Sequence, residues 1–307
     1  LNASIDVPAG AEPEPRALGN RLLDAGLLQA IGPQGLYART AVYELIVARL
    51  NALLDRLPAV CQRETFEFPP FMSAKDLETN GYFKNFPQLA ARVFTCECAE
   101  LHGEAAAVPE TYRASELAPL PAACYPLYPI VAARQMPIIE PMLFDVGATC
   151  FRNEPSPEPW RLQSFRMREF VQFGNGEATT AFRQTMLDAA IELSAALGLT
   201  CGFEEASDPF FGRTRNILKA AQVEAAAKYE LVARMPDEAT FAIASFNNHG
   251  DMFGKRWDIR LSDGRSCSSC CNAFGLDRMA IALLLTHGTR IASWPAEVLR
   301  QLNLEAI

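Results

Sequence analysis

The sequence predicts an α+β fold, one domain with an antiparallel sheet flanked by helices, and three observations lead there. At 307 residues and 50% hydrophobic, the chain can bury a large core. Two long segments repeat their apolar residues at helical spacing, and a third alternates at the two-residue period of strands. Residues 40 to 300 contain no internal repeat, low-complexity tract or linker that would divide them.

Taken in order, residues 1 to about 16 carry Pro8, Pro13 and Pro15 among small and acidic residues and read as a flexible tail. The tail and a short helix fill residues 1–39, ahead of a single domain over 40–307. Val42, Leu45, Ile46, Leu50, Leu53, Leu54 and Leu57 predict a helix from Thr40, a good amino-terminal cap, to Leu57. Phe66 and Phe68 predict a strand stopped by Pro69-Pro70, because proline cannot donate to a ladder. A second helix is expected over Thr179 to Leu197, and alanine-rich composition suggests a third from Thr214 to about Leu231. Ala239 to Ile259 alternates like strands, and Phe274 to Leu285 reads as a closing apolar helix.

Charge and cysteine content narrow the function. With 28 Lys and Arg against 36 Asp and Glu, the chain has a net charge of -8 and lacks the basic balance of a nucleic-acid binder, so tRNA is an unexpected partner. No apolar run nears the roughly 20 residues that cross a bilayer, and the start has no basic segment followed by an apolar stretch. The expectation is a cytoplasmic protein with no membrane partner. Nine cysteines make an odd number in a well-cored chain, which favours thiols or metal ligands over a disulfide framework.

The most informative segment is Phe151-Arg152-Asn153-Glu154, a proline-rich loop with Arg161, and then Phe165-Arg166-Met167-Arg168-Glu169-Phe170. It resembles motif 2 of class II aminoacyl-tRNA synthetases, a hairpin of two antiparallel strands. By that resemblance Arg152 meets the α-phosphate of ATP, Glu154 reads the adenine amino group and Phe170 stacks on the base. A forked guanidinium suits the charge that builds when a carboxylate attacks phosphorus. Glu67 to Phe71, continuing through Asn80-Gly81-Tyr82-Phe83, resembles motif 1 of the seryl enzymes, which implies a homodimer. Ala273-Phe274-Gly275-Leu276-Asp277-Arg278 resembles motif 3, whose arginine, here Arg278, grips the γ-phosphate. Lys228-Tyr229-Glu230-Leu231 and the stretch from Ile243 to Arg260 are similar to the seryl type as well. The class II frame implies an ATP site of Arg152, Glu154, Arg161, Leu162, Phe170, Ala242, Ser245 and Arg278, with Mg2+ accompanying the nucleotide.

Departures from the common seryl pattern refine that reading. The segment that usually holds a pocket acid reads Pro121-Ala122-Ala123-Cys124, Gly174 stands where a late motif 2 acid is expected, and Ala242 replaces a magnesium-side glutamate. Cys124, Glu169 and Cys271 resemble the ligands of the zinc-dependent seryl enzymes of methanogens, where zinc keeps a position for the substrate amine. Thiolates and a carboxylate suit a tetrahedral site with one open position. Cys270 competes with Cys271, since adjacent residues on an extended segment face opposite ways. Cys61, Cys96, Cys98, Cys150 and Cys201, with His102, His249 and His287, read as structural.

The seryl enzymes hold tRNA with a long amino-terminal arm, and the short stretch 1–39 is not expected to supply one. The core is similar instead to the truncated amino acid:[carrier protein] ligases of bacteria. That resemblance implies activation of a small amino acid, glycine or alanine, and its transfer to the phosphopantetheine thiol of an acyl-carrier-type protein, with Cys124, Glu169 and Ser245 around the amino acid. Two rivals are an atypical tRNA ligase and a non-catalytic regulatory paralogue. Arg152, Glu154 and Arg278 together argue against the second. Arg213, Arg215 and Lys219, beside Phe210 and Phe211, offer a basic face where an acidic carrier could dock.

Overall fold

The computed structural model describes residues 15–57, 63–96, 112–210, 216 and 227–306. The expected tail up to residue 14, Cys61, Cys98, His102 and the candidate docking residues Arg213, Arg215 and Lys219 lie outside them.

The alternating segments assemble into a seven-stranded sheet. Its strands are β1 (Arg63–Phe68), β2 (Met142–Phe151), β3 (Ser164–Gly174), β4 (Cys201–Glu205), β5 (Lys228–Arg234), β6 (Thr240–Gly250) and β7 (Ser268–Gly275), in the spatial order β4-β5-β6-β7-β3-β2-β1. Neighbours are antiparallel, as expected, except β1 and β2, which run parallel with Phe66 beside Val146. Residues 69–141 separate those two strands, enough chain for the crossover that a parallel pair requires.

Three helices, α1 (Ala41–Leu53), α2 (Gly176–Ala196) and α3 (Leu276–His287), cover one sheet face. They bury Tyr43, Ile46, Leu50, Met186 and Leu283 against Phe246 and Phe274 of the strands. Truncating a fully buried leucine such as Leu50 to alanine would cost about 2–5 kcal/mol. The other face carries a second core, in which Leu77, Tyr128 and Phe253 from short helices pack on Phe144, Val171 and Phe173 of the sheet. Among the described residues no helix is long and apolar enough to cross a membrane.

Several boundaries differ from the sequence reading. Thr40 occupies the cap position of α1, but its hydroxyl donates to the Leu27 carbonyl at 3.3 Å, and α1 gives way at Leu54 to a tighter turn. Helix α2 begins three residues before Thr179 because Asn175 caps it, accepting from the Ala178 amide at 2.8 Å. The helix expected to reach Leu231 does not: from Lys228 the chain is strand β5, with Leu231 and Ala233 buried in the helix-side core. The alanines upstream carried the helical reading past the point where the period changes to two. The strand pattern expected up to Ile259 ends at Gly250, after which Met252–Trp257 form a short helix. Phe274 belongs to β7, so the final helix starts at Leu276.

Candidate active site

Strands β2 and β3 form a hairpin whose register pairs Phe151 with Ser164 and Val146 with Glu169. Alternation along β3 then decides which side chain meets which chemistry. Met167, Val171 and Phe173 join the core of the short-helix face, whereas Phe170 joins the core beneath the long helices. Arg166 and Arg168 also face the long helices, where they are fully engaged. Arg166 binds Asp277 and Glu44, and Arg168 binds Asp145 at 2.7 Å and Asp55 at 2.5 Å. A cavity of about 380 Å³ on that side is lined by Glu44, Asp55, Asp145, Arg166 and Arg168, which pair with one another or with Asp277.

On the opposite face, Cys124 from the segment before the short helix Leu127–Ala133, Glu169 of β3 and Cys271 of β7 converge. Their ligand atoms lie within 4.8 Å of one another. All three are buried, Glu169 to 1% exposure. One Glu169 oxygen accepts from the Ala123 amide at 2.7 Å and the other from the Cys271 thiol at 2.7 Å, and among the described residues no lysine or arginine is ion-paired with it. A buried carboxylate without a cationic partner is costly, so the arrangement fits a cation. The donor set, two sulfurs and one oxygen, suits zinc with one position left open. A hydrogen bond from Cys271 acts to lower the Cys124 thiol, but burial and the nearby Glu169 outweigh it and push Cys124 up to about 11. Burial drives Cys271 well above the usual thiol range. A bound divalent cation would replace those protons. Cys270 packs in the helix-side core and points away from the cluster, so the geometry favours Cys271.

Two further groups flank this face. Arg152 donates through Nε to the Pro121 carbonyl at 3.0 Å and lies over the Phe165 ring at 5.3 Å. Arg278, in the first turn of α3, donates to the carbonyls of Trp160 at 3.1 Å and Ala242 at 3.2 Å. Burial, and then the like charge of Arg152, lower the Arg278 guanidinium below its ordinary value. Among the described residues neither arginine has a carboxylate in ion-pair contact, although the chain is net acidic. Two guanidiniums whose hydrogen bonds go to carbonyls, with Glu154 and Glu230 acting on them only through space, can receive an anion. Asp277, next to Arg278, accepts from the Arg166 guanidinium at 2.7 Å and from Tyr43 at 3.2 Å and is ion-paired with Arg39 at 3.2 Å, which fixes the start of α3 against β3 and α1.

The remaining sequence candidates divide. Ser245 stands in register with Glu230 and Ala273, in the row that continues to Glu169, and accepts from Asn247 at 3.3 Å. Ala242 contributes its carbonyl to Arg278. Glu154 and Arg161 border a cavity of about 970 Å³ with Leu23, Leu89, Trp160 and Pro209, and Arg161 is held by Glu158 at 2.6 Å. Leu162 and Phe170 are not brought to the site. Both are buried in the helix-side core, Phe170 edge-on to Phe274 with ring centroids 6.1 Å apart. The ring beside Arg152 is Phe165, which the sequence reading passed over. Counting residues in twos from Glu169 would have found it.

Comparison with known proteins decides the family. The chain is 39% identical over 316 residues to amino acid–[acyl-carrier-protein] ligase 2 of Bradyrhizobium diazoefficiens, spanning 98% of this chain and 92% of that protein. It is 41% identical over 293 residues to ligase 1 of the same organism, spanning 91% and 88%. The chain belongs to the amino acid–[acyl-carrier-protein] ligase family. Among solved structures, M. kandleri SerRS in complex with A. aeolicus tRNASec matches this ligase with a TM-score of 0.79 at 19% identity. That match covers 97% of this chain and 62% of the synthetase, so the ligase has the class II synthetase fold expected from motifs 1 to 3. No protein-family model matches the chain.

Proposed function

We propose that this ligase activates glycine or alanine as the adenylate, using ATP with Mg2+, and passes the aminoacyl group to the phosphopantetheine thiol of a carrier protein, working as a homodimer. The observation that carries the reading is the cluster of Cys124, Glu169 and Cys271 together with two partly buried arginines, Arg152 and Arg278, that form no ion pair among the described residues. An amino acid has an amine at one end and a nucleophilic carboxylate at the other. The cluster suits the first and the arginines suit the phosphate that the second attacks.

A zinc ion held by Cys124, Glu169 and Cys271 would fix the substrate amine. The amino acid carboxylate attacks the α-phosphorus, the bond to the β-phosphate oxygen breaks, and pyrophosphate leaves with that electron pair. No general base is required, because the carboxylate arrives ionised. Arg152 supports charge at the α-phosphate and Arg278 receives the pyrophosphate end. Glu154 reads the adenine amino group, and Phe165 replaces Phe170 as the ring for the base. In the second step the thiol loses its proton, its sulfur bonds to the adenylate carbonyl carbon, and the bond to AMP breaks. A small side chain is favoured by the rings that follow Cys124: Tyr128 stacks on Phe253 at 4.1 Å and Tyr125 meets the same ring edge-on at 6.1 Å.

The test is amino-acid-dependent exchange of pyrophosphate into ATP, measured with each amino acid, followed by mass spectrometry of a phosphopantetheine-bearing carrier. Exchange with glycine or alanine and a carrier heavier by one aminoacyl group support the reading. Exchange with no amino acid, or charging of tRNA in place of the carrier, would sink it.

A further inference from the structure

Tyr82 has a hydroxyl that the fold does not use. The residue is 5% exposed, and its oxygen is buried with no hydrogen-bond partner. Leaving such a group unpaired costs about 1–3 kcal/mol, which a phenylalanine would avoid. The segment that carries it is fixed with care. Asn80 accepts from Trp257 Nε1 at 2.7 Å through its side chain and from the Arg256 guanidinium through its carbonyl. Gly81 turns the chain at φ 80°, a left-handed conformation that favours glycine.

The ring is held between Phe86, with centroids 5.2 Å apart, and Tyr125 at 5.7 Å, the residue that follows Cys124. The charges acting on the hydroxyl are those of Arg152, then Glu154, Cys150 and Asp208. Tyr82 therefore packs on the residue next to the amine-side ligand Cys124, and its hydroxyl feels the charge of the phosphate-side Arg152. If the amine lies at one and the α-phosphate at the other, the carbon that joins them in the adenylate falls between. Burial pushes the hydroxyl up to about 12, so it keeps its proton and acts as a donor.

We propose that Tyr82 is a catalytic residue whose Oη–H donates a hydrogen bond to the reacting carbonyl oxygen of the amino acid, a role that rests on the adenylate reading above. When the thiol sulfur bonds to the carbonyl carbon, the displaced electron pair collects on that oxygen. Tyr82 stabilises it without giving up its proton. The pair returns as the C–O bond to AMP breaks, and AMP leaves.

Tyr82→Phe removes one oxygen and no volume of ring. We expect the rate of transfer from preformed adenylate to a thiol acceptor to fall at least tenfold, on the scale of a weakened oxyanion contact, with KM for ATP unchanged. The melting temperature should hold or rise, because the lost hydroxyl was buried without a partner. Transfer within twofold of the parent enzyme overturns the assignment. So does a fall in melting temperature that accounts for the lost rate. Absence of pyrophosphate exchange in the unaltered enzyme would sink the adenylate reading itself, whereas a normal parent and a normal Tyr82→Phe variant overturn Tyr82 alone.

Discussion

Replacing Arg278 with methionine separates its two costs, one to catalysis and one to folding. Its guanidinium is partly buried, is lowered by burial and by Arg152, and donates to the carbonyls of Trp160 and Ala242. Methionine keeps the stem volume and removes the charge and the donors. Each lost neutral hydrogen bond forfeits about 0.5–1.5 kcal/mol, while relief from holding an unpaired cation out of water offsets a similar sum. Net stability should therefore move by no more than about 1 kcal/mol, a shift of roughly 4 °C or less in melting temperature. Catalysis has no such offset. If Arg278 binds the pyrophosphate end as charge moves onto it, its loss should slow pyrophosphate exchange at least about a hundredfold, equivalent to about 2.7 kcal/mol. Calorimetry and exchange kinetics on the same sample read both. Near-normal exchange, or a large drop in melting temperature with activity lost in proportion, would refute a phosphate role and make Arg278 a structural cation.

Elemental analysis should find about one zinc per chain, lost in Cys124→Ser and Cys271→Ser but kept in Cys270→Ser; metal retained without Cys124 would refute the cluster. His249 has its pKa lowered by burial to about 4, so the folded state holds it neutral while the unfolded chain takes up a proton below about 6.5. Its contribution is whole above pH 6.5 and is lost as pH falls toward 4, by up to about 3 kcal/mol. Denaturant midpoints from pH 7 to 4.5 should decline less steeply in His249→Gln, and equal slopes would count against this. Reversing Arg215 and Lys219 to glutamate should slow carrier loading, more at low salt, and leave exchange intact; equal losses in both assays would place docking elsewhere.

The parts of the fold that were legible in the sequence are those where local chemistry and tertiary packing agree. Helix α1 announced itself through Ile46, Leu50 and Leu53, all of which are buried, and β1 stops at Phe68 where Pro69 removes the next donor. The illegible parts are those where neighbours overrule a local signal. Alanine upstream of Lys228 favours helix, yet Tyr229 to Ala233 pairs on both sides, with β4 and with β6, and the sheet wins. Thr40 has a capping side chain, but the Leu27 carbonyl takes its hydroxyl.

The site divides along the same line, and the reason lies in the pleat of β3. Motif resemblance named residues by order in the chain, which cannot tell one sheet face from the other. Glu169 and Phe170 are adjacent in sequence, and the resemblance gives the first to the metal and the second to the adenine, yet the first meets Cys271 and the second meets Phe274 on the opposite side. The same parity chooses Cys271 over Cys270 and makes Phe165 the ring beside Arg152. Tyr82 escaped for a different reason: a tyrosine among Phe83, Phe86 and Tyr125 reads as core, and only the missing partner of its hydroxyl distinguishes it. An unused donor can be seen only once every neighbour is in place. In this fold, then, motif resemblance names charged and metal-ligating candidates, whereas a neutral donor is found by asking which buried polar atoms the protein has left unsatisfied.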